Sequence, residues 1–321
     1  MPLAVVTGAS TGIGFHTAGQ LAVKGYDVVC ACRNPTRAKE VTQSIRDWYG
    51  KGRPLSVEFR ELDLASFASV QTFAAGMVAR AQPLDVLVCN AGVNSALVPQ
   101  EPENQLSQDG VDLLYQTNFL SHLLLVLLLL PLLRAAYGRV LSVSSVVHRG
   151  ASREHFRLIK SVREPYTSLY GISKLAQILA THELHRRFTR RNLVSFHCVN
   201  PGGVSSDIWR DDPGWKQLLF KGVLATPETA AQTVVRAAEC WDGRPPASPR
   251  YWNGYMGAGK LSAFEYWSPW SARARLVESE PSLDARDPEL ARQVWEESIE
   301  AISSAGVDID MPEDGFEKGA A

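Results

Sequence analysis

Tyr170 and Lys174 stand four apart in a stretch, residues 168–188, whose apolar spacing predicts a helix. Both side chains therefore fall on one helix face. A phenol with an ordinary pKa of about 10 is a poor acid or base at neutral pH. A neighbouring ammonium stabilises the phenolate and brings that pKa toward the working range. Such a pair suits carbonyl reduction, in which the phenol delivers a proton to oxygen while hydride reaches carbon. A nearby hydroxyl can fix the carbonyl oxygen. Ser145, just past a predicted strand in Val143-Ser144-Ser145, is the candidate, with Ser144 as the fallback. Y-x-x-x-K alone is common on surface helices, so its weight depends on the elements around it.

Those elements alternate. Apolar strand-like runs occupy residues 3–7, 27–32, 55–61, 84–89, 138–144 and 193–199, with a shorter one near 250–253. Helical patterns fill the intervals at 12–24, 37–48, 67–81, 110–134, 168–188 and 227–238. The strands are near-continuously apolar, as expected where helices cover both faces of a parallel sheet. Strict β-α alternation with right-handed crossovers gives an α/β fold, a Rossmann-type doubly wound parallel sheet. Thr226-Pro227-Glu228 and Asp287-Pro288-Glu289 read as helix starts: cap, N1 proline, early acid. Nothing resembles an internal repeat or linker, so one domain is expected over residues 1–302, with a flexible acidic tail at 303–321.

Directly after the first strand comes Thr7-Gly8-Ala9-Ser10-Thr11-Gly12-Ile13-Gly14, leading into a helix. Glycines let backbone approach a pyrophosphate, and the helix N-terminus adds free N–H groups and partial positive charge. At the end of the second strand an NAD site places an acid for the ribose hydroxyls. Cys32 and then Arg33 stand there instead, with Arg37 and Lys39 nearby. A carboxylate that would repel a 2′-phosphate is missing, and a guanidinium able to grip one is next door, which favours NADP(H).

This T-G-x-x-x-G-x-G turn, with the ordered motifs after it, resembles the short-chain dehydrogenase/reductase family over about residues 3–300. The resemblance implies that Gly8, Ser10, Thr11, Gly12, Ile13 and Gly14 cradle the cofactor. It implies that Asp63, followed by Leu64, meets the adenine, and that Asn90-Ala91-Gly92 lies beside the cofactor. Asn118, Ser145, Tyr170 and Lys174 correspond to the family's catalytic tetrad. Lys174 also holds the nicotinamide ribose, and Asn118 joins the lysine to a proton relay. Pro201-Gly202 opens a loop over the nicotinamide, where Val204 meets the carboxamide and Ser206 stands in for a threonine. Residues 203–224, with Ile208, Trp209, Trp215, Leu218, Leu219 and Phe220, then form an apolar lid over substrate. Ala31-Cys32-Arg33, Asp63-Leu64-Ala65-Ser66, Val143-Ser144-Ser145-Val146-Val147-His148 and the long spacing from Ser145 to Tyr170 are most like the retinol dehydrogenase branch and the related protochlorophyllide reductases. The implied substrate is a small lipophilic aldehyde or ketone, or the corresponding alcohol. The alternatives are a double-bond reductase or a non-catalytic NADP(H) sensor.

Composition narrows the remaining classes. The chain is 45% hydrophobic with a formal net charge of -1, and no basic stripe suggests nucleic acid. Five cysteines sit mostly in apolar runs, which suits reduced core thiols better than a disulfide framework. Cys30 and Cys32 lack a second ligand cluster, and His182 and His185 read as surface residues, so no metal is expected. A strand begins almost at Met1, which argues against a secretory signal and for a cytoplasmic protein. The apolar run at 123–133 is about half of the ~20 residues that span a bilayer and reads as a buried helix rather than a transmembrane segment. The aromatic stretch Phe264-Glu265-Tyr266-Trp267-Ser268-Pro269-Trp270 suits sheet packing, a pocket wall or peripheral membrane contact. Association through the helices bearing 123–133 and Tyr170 would give a homo-oligomer.

Overall fold

The computed structural model describes residues 1–94, 105–159, 166–189, 194–204, 225–240, 248–255 and 275–309. Eight strands form one sheet: β1 (Leu3–Thr7), β2 (Asp27–Cys32), β3 (Val57–Glu61), β4 (Val86–Cys89), β5 (Arg139–Val143), β6 (Ser195–Asn200), β7 (Tyr251–Tyr255) and β8 (Arg275–Ser279). Their order is β3-β2-β1-β4-β5-β6-β7-β8. All neighbouring pairs are parallel except β7 with β8. The winding reverses between β1 and β4, and a doubly wound sheet leaves its ligand crevice at such a point, beyond the carboxyl ends of the strands. The expected α/β Rossmann-type sheet is therefore present.

Alternation along each strand divides the core. Val5, Leu87 and Cys89 pack on one face, against α3 (Phe67–Ala79), α4 (Leu113–Ala136), α6 (Tyr166–Leu184) and α8 (Pro288–Ser304). Val6, Val88 and Val143 pack on the other, against α1 (Gly12–Val23), α2 (Ala38–Tyr49) and α7 (Pro227–Glu239). A short α5 (Arg153–Ile159) precedes α6. Leu87 is fully buried in the middle of β4. Leu87→Ala is expected to cost about 2–5 kcal/mol, because the layers cannot collapse into the space left. A urea titration should show a lower midpoint at an unchanged slope.

The apolar run at 123–133 lies inside α4, close to the bounds expected for that helix (110–134). Its most apolar window is 72% buried inside the fold, as a buried helix requires, although its 24 residues are long and apolar enough to cross a membrane by length and composition. A π turn at Gln116–Leu120 within it holds buried Gln116 and Asn118. Two expectations are corrected. His185 is buried rather than on the surface, since α6 continues into a π turn (His185–Thr189) that places its Nδ1 3.1 Å from Thr189 Oγ1. His182 is half-buried. At the C-terminus, packing does not stop at 302. Gly306 turns the chain back, the Val307 N–H donates to Ile302 O, and Val307 is buried against the core. The remainder of the expected tail, 310–321, lies outside the described residues, as do the lid residues 205–224 with Ser206 and the aromatic stretch at 264–270.

Candidate active site

α6 carries Tyr170 and Lys174 one turn apart, and the Lys174 Nζ lies 5.5 Å from the centre of the Tyr170 ring. Lys174 is 3% exposed. Its ammonium donates to Val143 O at 2.9 Å and to Gln177 Oε1 at 3.1 Å. Burial strips water from the charge and pulls its pKa down to about 8, against the opposing pull of the Cys198 and Cys89 thiols. Among the described residues, the ammonium's hydrogen-bond partners are thus neutral oxygens, next to a phenol.

Asn118 sits in the π turn of α4 and is fully buried. Its side chain accepts from Val93 N at 2.8 Å and donates to Val93 O at 2.9 Å and Ser173 Oγ at 3.1 Å. Its backbone carbonyl takes two side-chain donors, Gln177 Nε2 at 2.9 Å and His122 Nδ1 at 3.0 Å. One amide, Gln177, therefore bridges the Lys174 ammonium and the Asn118 carbonyl directly. From His122 the network continues to Thr7 Oγ1 at 2.9 Å, and that hydroxyl accepts from Asn90 N and Ala91 N. Burial keeps His122 neutral by pulling its pKa down to about 4. Sequence reasoning assigned Thr7, His122 and Gln177 no role. For two of them the signal was helical spacing: Gln177 is three residues from Lys174, and His122 four from Asn118.

The two candidate serines separate cleanly. Ser144 is buried and its hydroxyl donates to Lys174 O at 3.0 Å, so it braces α6. Ser145 is half-buried and opens a 3-10 turn, Val146–Gly150, accepting from Val147 N at 3.4 Å. Ser145 is the more exposed of the two.

The remaining candidates gather where β1 to β4 and β6 end. Gly8 has φ +66°, and a Cβ there would lie 2.8 Å from Ala91 Cα, so only glycine lets the loop lie on the Asn90-Ala91-Gly92 turn. A Cβ on Gly14 would meet Gly8 O at 2.3 Å, which is why α1 packs so close to the strand end. Ser10, Gly12 and Ile13 are half-buried, and Thr11 is exposed. Thr11, the N-cap of α1, makes no side-chain cap bond, and no acid occupies the first turn. The positive helix end is therefore open to an anion. Beside it, Cys32 is buried, and the Ala9 and Ser10 hydrogen bonds at its sulfur only partly offset burial, which pushes the thiol up to about 11. Arg33 is exposed. Arg37 is spoken for in part by an ion pair with Glu40 at 2.9 Å. Asp63 Oδ1 accepts from Ala65 N at 3.0 Å, while Leu64 O accepts from Ser121 Oγ at 2.7 Å. Past β6, Pro201 leads into Gly202, whose N–H donates to Asn200 Oδ1 at 3.2 Å, and Val204 bridges to Ala225.

A dinucleotide fits this crevice: the glycine loop and uncapped helix end face an anion, and an exposed guanidinium stands at the tip of β2. The short chain dehydrogenase family pattern matches residues 2–217. The chain is 36% identical over 320 residues to polyprenol dehydrogenase of Mus musculus, covering 96% of this chain and 86% of that one. With retinol dehydrogenase 11 of Homo sapiens it is 37% identical over 238 residues, 73% of this chain and 71% of the relative. A solved alcohol dehydrogenase from the archaeon Thermococcus sibiricus, complexed with 5-hydroxy-NADP, has TM-score 0.56 at 26% identity, covering 76% of this chain and 94% of that one. The chain belongs to the short-chain dehydrogenase/reductase family of oxidoreductases, which work on small molecules with nicotinamide cofactors. Within that family it is similar to the retinol-dehydrogenase-like branch.

Proposed function

We propose that this chain is an NADP(H)-dependent oxidoreductase acting on the carbonyl or alcohol of a lipophilic, retinal-like substrate. The observation that carries the reading is the dehydrated Lys174 ammonium beside the Tyr170 ring, wired through Gln177 to Asn118. When bound, the nicotinamide supplies or accepts the hydride. Tyr170 gives the proton to the carbonyl oxygen, or removes it from the alcohol. Lys174 makes that phenol a stronger acid, and Ser145 donates to the same oxygen. Gly8, Ser10, Thr11, Gly12, Ile13 and Gly14 hold the pyrophosphate, Arg33 the 2′-phosphate and Asp63 the adenine. Leu64, Asn90, Ala91, Gly92, Pro201, Gly202 and Val204 complete the cofactor crevice within one domain. The absence of an acid at position 32 and the NADP derivative in the Thermococcus sibiricus relative support NADP over NAD. The names of the polyprenol and retinol relatives support a lipophilic substrate.

The lysine gives a testable pH dependence. Its charged form persists below about 8 and is lost above, so carbonyl reduction is expected to fall on the alkaline side of that pH. Gln177→Glu sets a carboxylate against the ammonium and stabilises the charged form. The alkaline limb of kcat should move up by about one unit or more. An unmoved limb would assign it to another group.

The function itself is tested by cofactor oxidation with purified protein, NADPH against NADH, across retinals, alkenals, steroid ketones and quinones. NADPH-dependent turnover of an apolar carbonyl is expected. Equal use of NADH would refute the role of Arg33, and turnover confined to hydrophilic carbonyls would refute the substrate class.

A further inference from the structure

We propose that His148 is a positioning residue for Ser145, clamping the serine's backbone to residues 280–287 of the C-terminal segment; the proposal rests on the role given to Ser145 above. His148 is fully buried in the turn that follows Ser145. Its Nδ1 lies 2.7 Å from Ser145 O, a group that can only accept, so Nδ1 carries the proton. Its Nε2 lies 3.2 Å from Ser282 N, a group that only donates, so Nε2 carries the lone pair. The two partners thereby select one neutral tautomer. Burial favours the same state, pulling the pKa down to about 4. The ring is steadied by edge contact with Tyr251, centres 5.4 Å apart.

The same two segments meet at three more points. Arg149 Nη2 donates to Glu280 O at 2.9 Å, Arg153 N donates to Asp284 Oδ2 at 3.2 Å, and the Arg153 guanidinium pairs with Asp287. Asp287 is itself fixed as the N-cap of α8, accepting from Glu289 N at 2.9 Å and Leu290 N at 3.0 Å. The C-terminal helix therefore anchors a row of bonds whose last link is the Ser145 carbonyl. Among the described residues, the serine hydroxyl is held by the long 3.4 Å bond from Val147 N. Its aim depends on the orientation of its own peptide, whose carbonyl is held by the His148 backbone N–H at 3.2 Å and, more closely and tied to the C-terminal segment, by the imidazole at 2.7 Å. Misplacing a reacting group by about 1 Å can cost about 100-fold in rate.

His148→Phe keeps a ring against Tyr251 and deletes both hydrogen bonds. With NADPH and all-trans-retinal, kcat should fall about 30-fold while the KM for NADPH changes less than about twofold. Amide hydrogen exchange should quicken in 145–153 and 280–287 together. Arg153→Met, which cuts the clamp at its far end, should show the same split between kcat and KM at smaller size. Ser145→Ala separates the two layers of the argument. If it abolishes turnover while His148→Phe turns over normally, or exchange quickens in 145–153 alone, the clamp is overturned and the role of Ser145 stands. If Ser145→Ala retains full turnover, the role of Ser145 falls and the clamp's purpose falls with it.

Discussion

Tyr170→Phe is expected to lower kcat about 1,000-fold, within the range for loss of a positioned proton donor. The ring packs with Leu114, Leu169, Val93 and Leu113, and phenylalanine preserves that packing. Cofactor affinity and melting temperature should therefore stay close to wild type. The combination is diagnostic. A protein that only senses NADP(H) would show no change in any readout, whereas a collapsed pocket would lose cofactor as well as turnover. Cofactor titration by fluorescence beside steady-state kinetics distinguishes all three.

The second large effect is on cofactor choice. Cys32→Asp places a carboxylate at the end of β2, against the backbone of Ala9 and Ser10, where those groups can donate to it. It offers acceptors to ribose hydroxyls and repels a 2′-phosphate. The ratio of kcat/KM for NADPH over NADH should fall about 100-fold, a change of about 2.7 kcal/mol. A variant that weakens both cofactors equally would show that position 32 shapes the glycine loop rather than reading the phosphate. Kinetics with each cofactor at a fixed carbonyl concentration checks this.

Most of the parallel strands were legible because a strand buried on both faces must be apolar at nearly every position; β3, Val-Glu-Phe-Arg-Glu at the other edge of the sheet, is the exception. β8 escaped the same test. It is antiparallel and outermost in the sheet, Val277 is 39% exposed, and Arg-Leu-Val-Glu-Ser carries no continuous apolar run. The glycine loop, the Asn90-Ala91-Gly92 turn, Ser145 and the Tyr170–Lys174 pair were visible as motifs because local spacing alone places each at a strand end or on one helix face. The bonds among them were not visible. Thr7 to His122 joins residues 115 apart, and Gln177 to Asn118 joins residues 59 apart. Nothing in either local segment announces such a partner. The choice between Ser144 and Ser145 was open for the same reason, since the carbonyl that claims Ser144 belongs to Lys174 on another element. His185 was misread because α6 is buried on nearly every face from Leu169 to Leu184 and the π turn continues that burial, which a polar residue's type does not announce.

The most direct test of the central claim is hydride tracing with NADPH deuterated at both hydrogens of the nicotinamide C4 and all-trans-retinal as acceptor. The account predicts one deuterium on the carbinol carbon of the product alcohol with wild-type protein, and about 1,000-fold slower labelling with Tyr170→Phe. Retinol formed without deuterium, or wild-type labelling that Tyr170→Phe leaves unchanged, would contradict it.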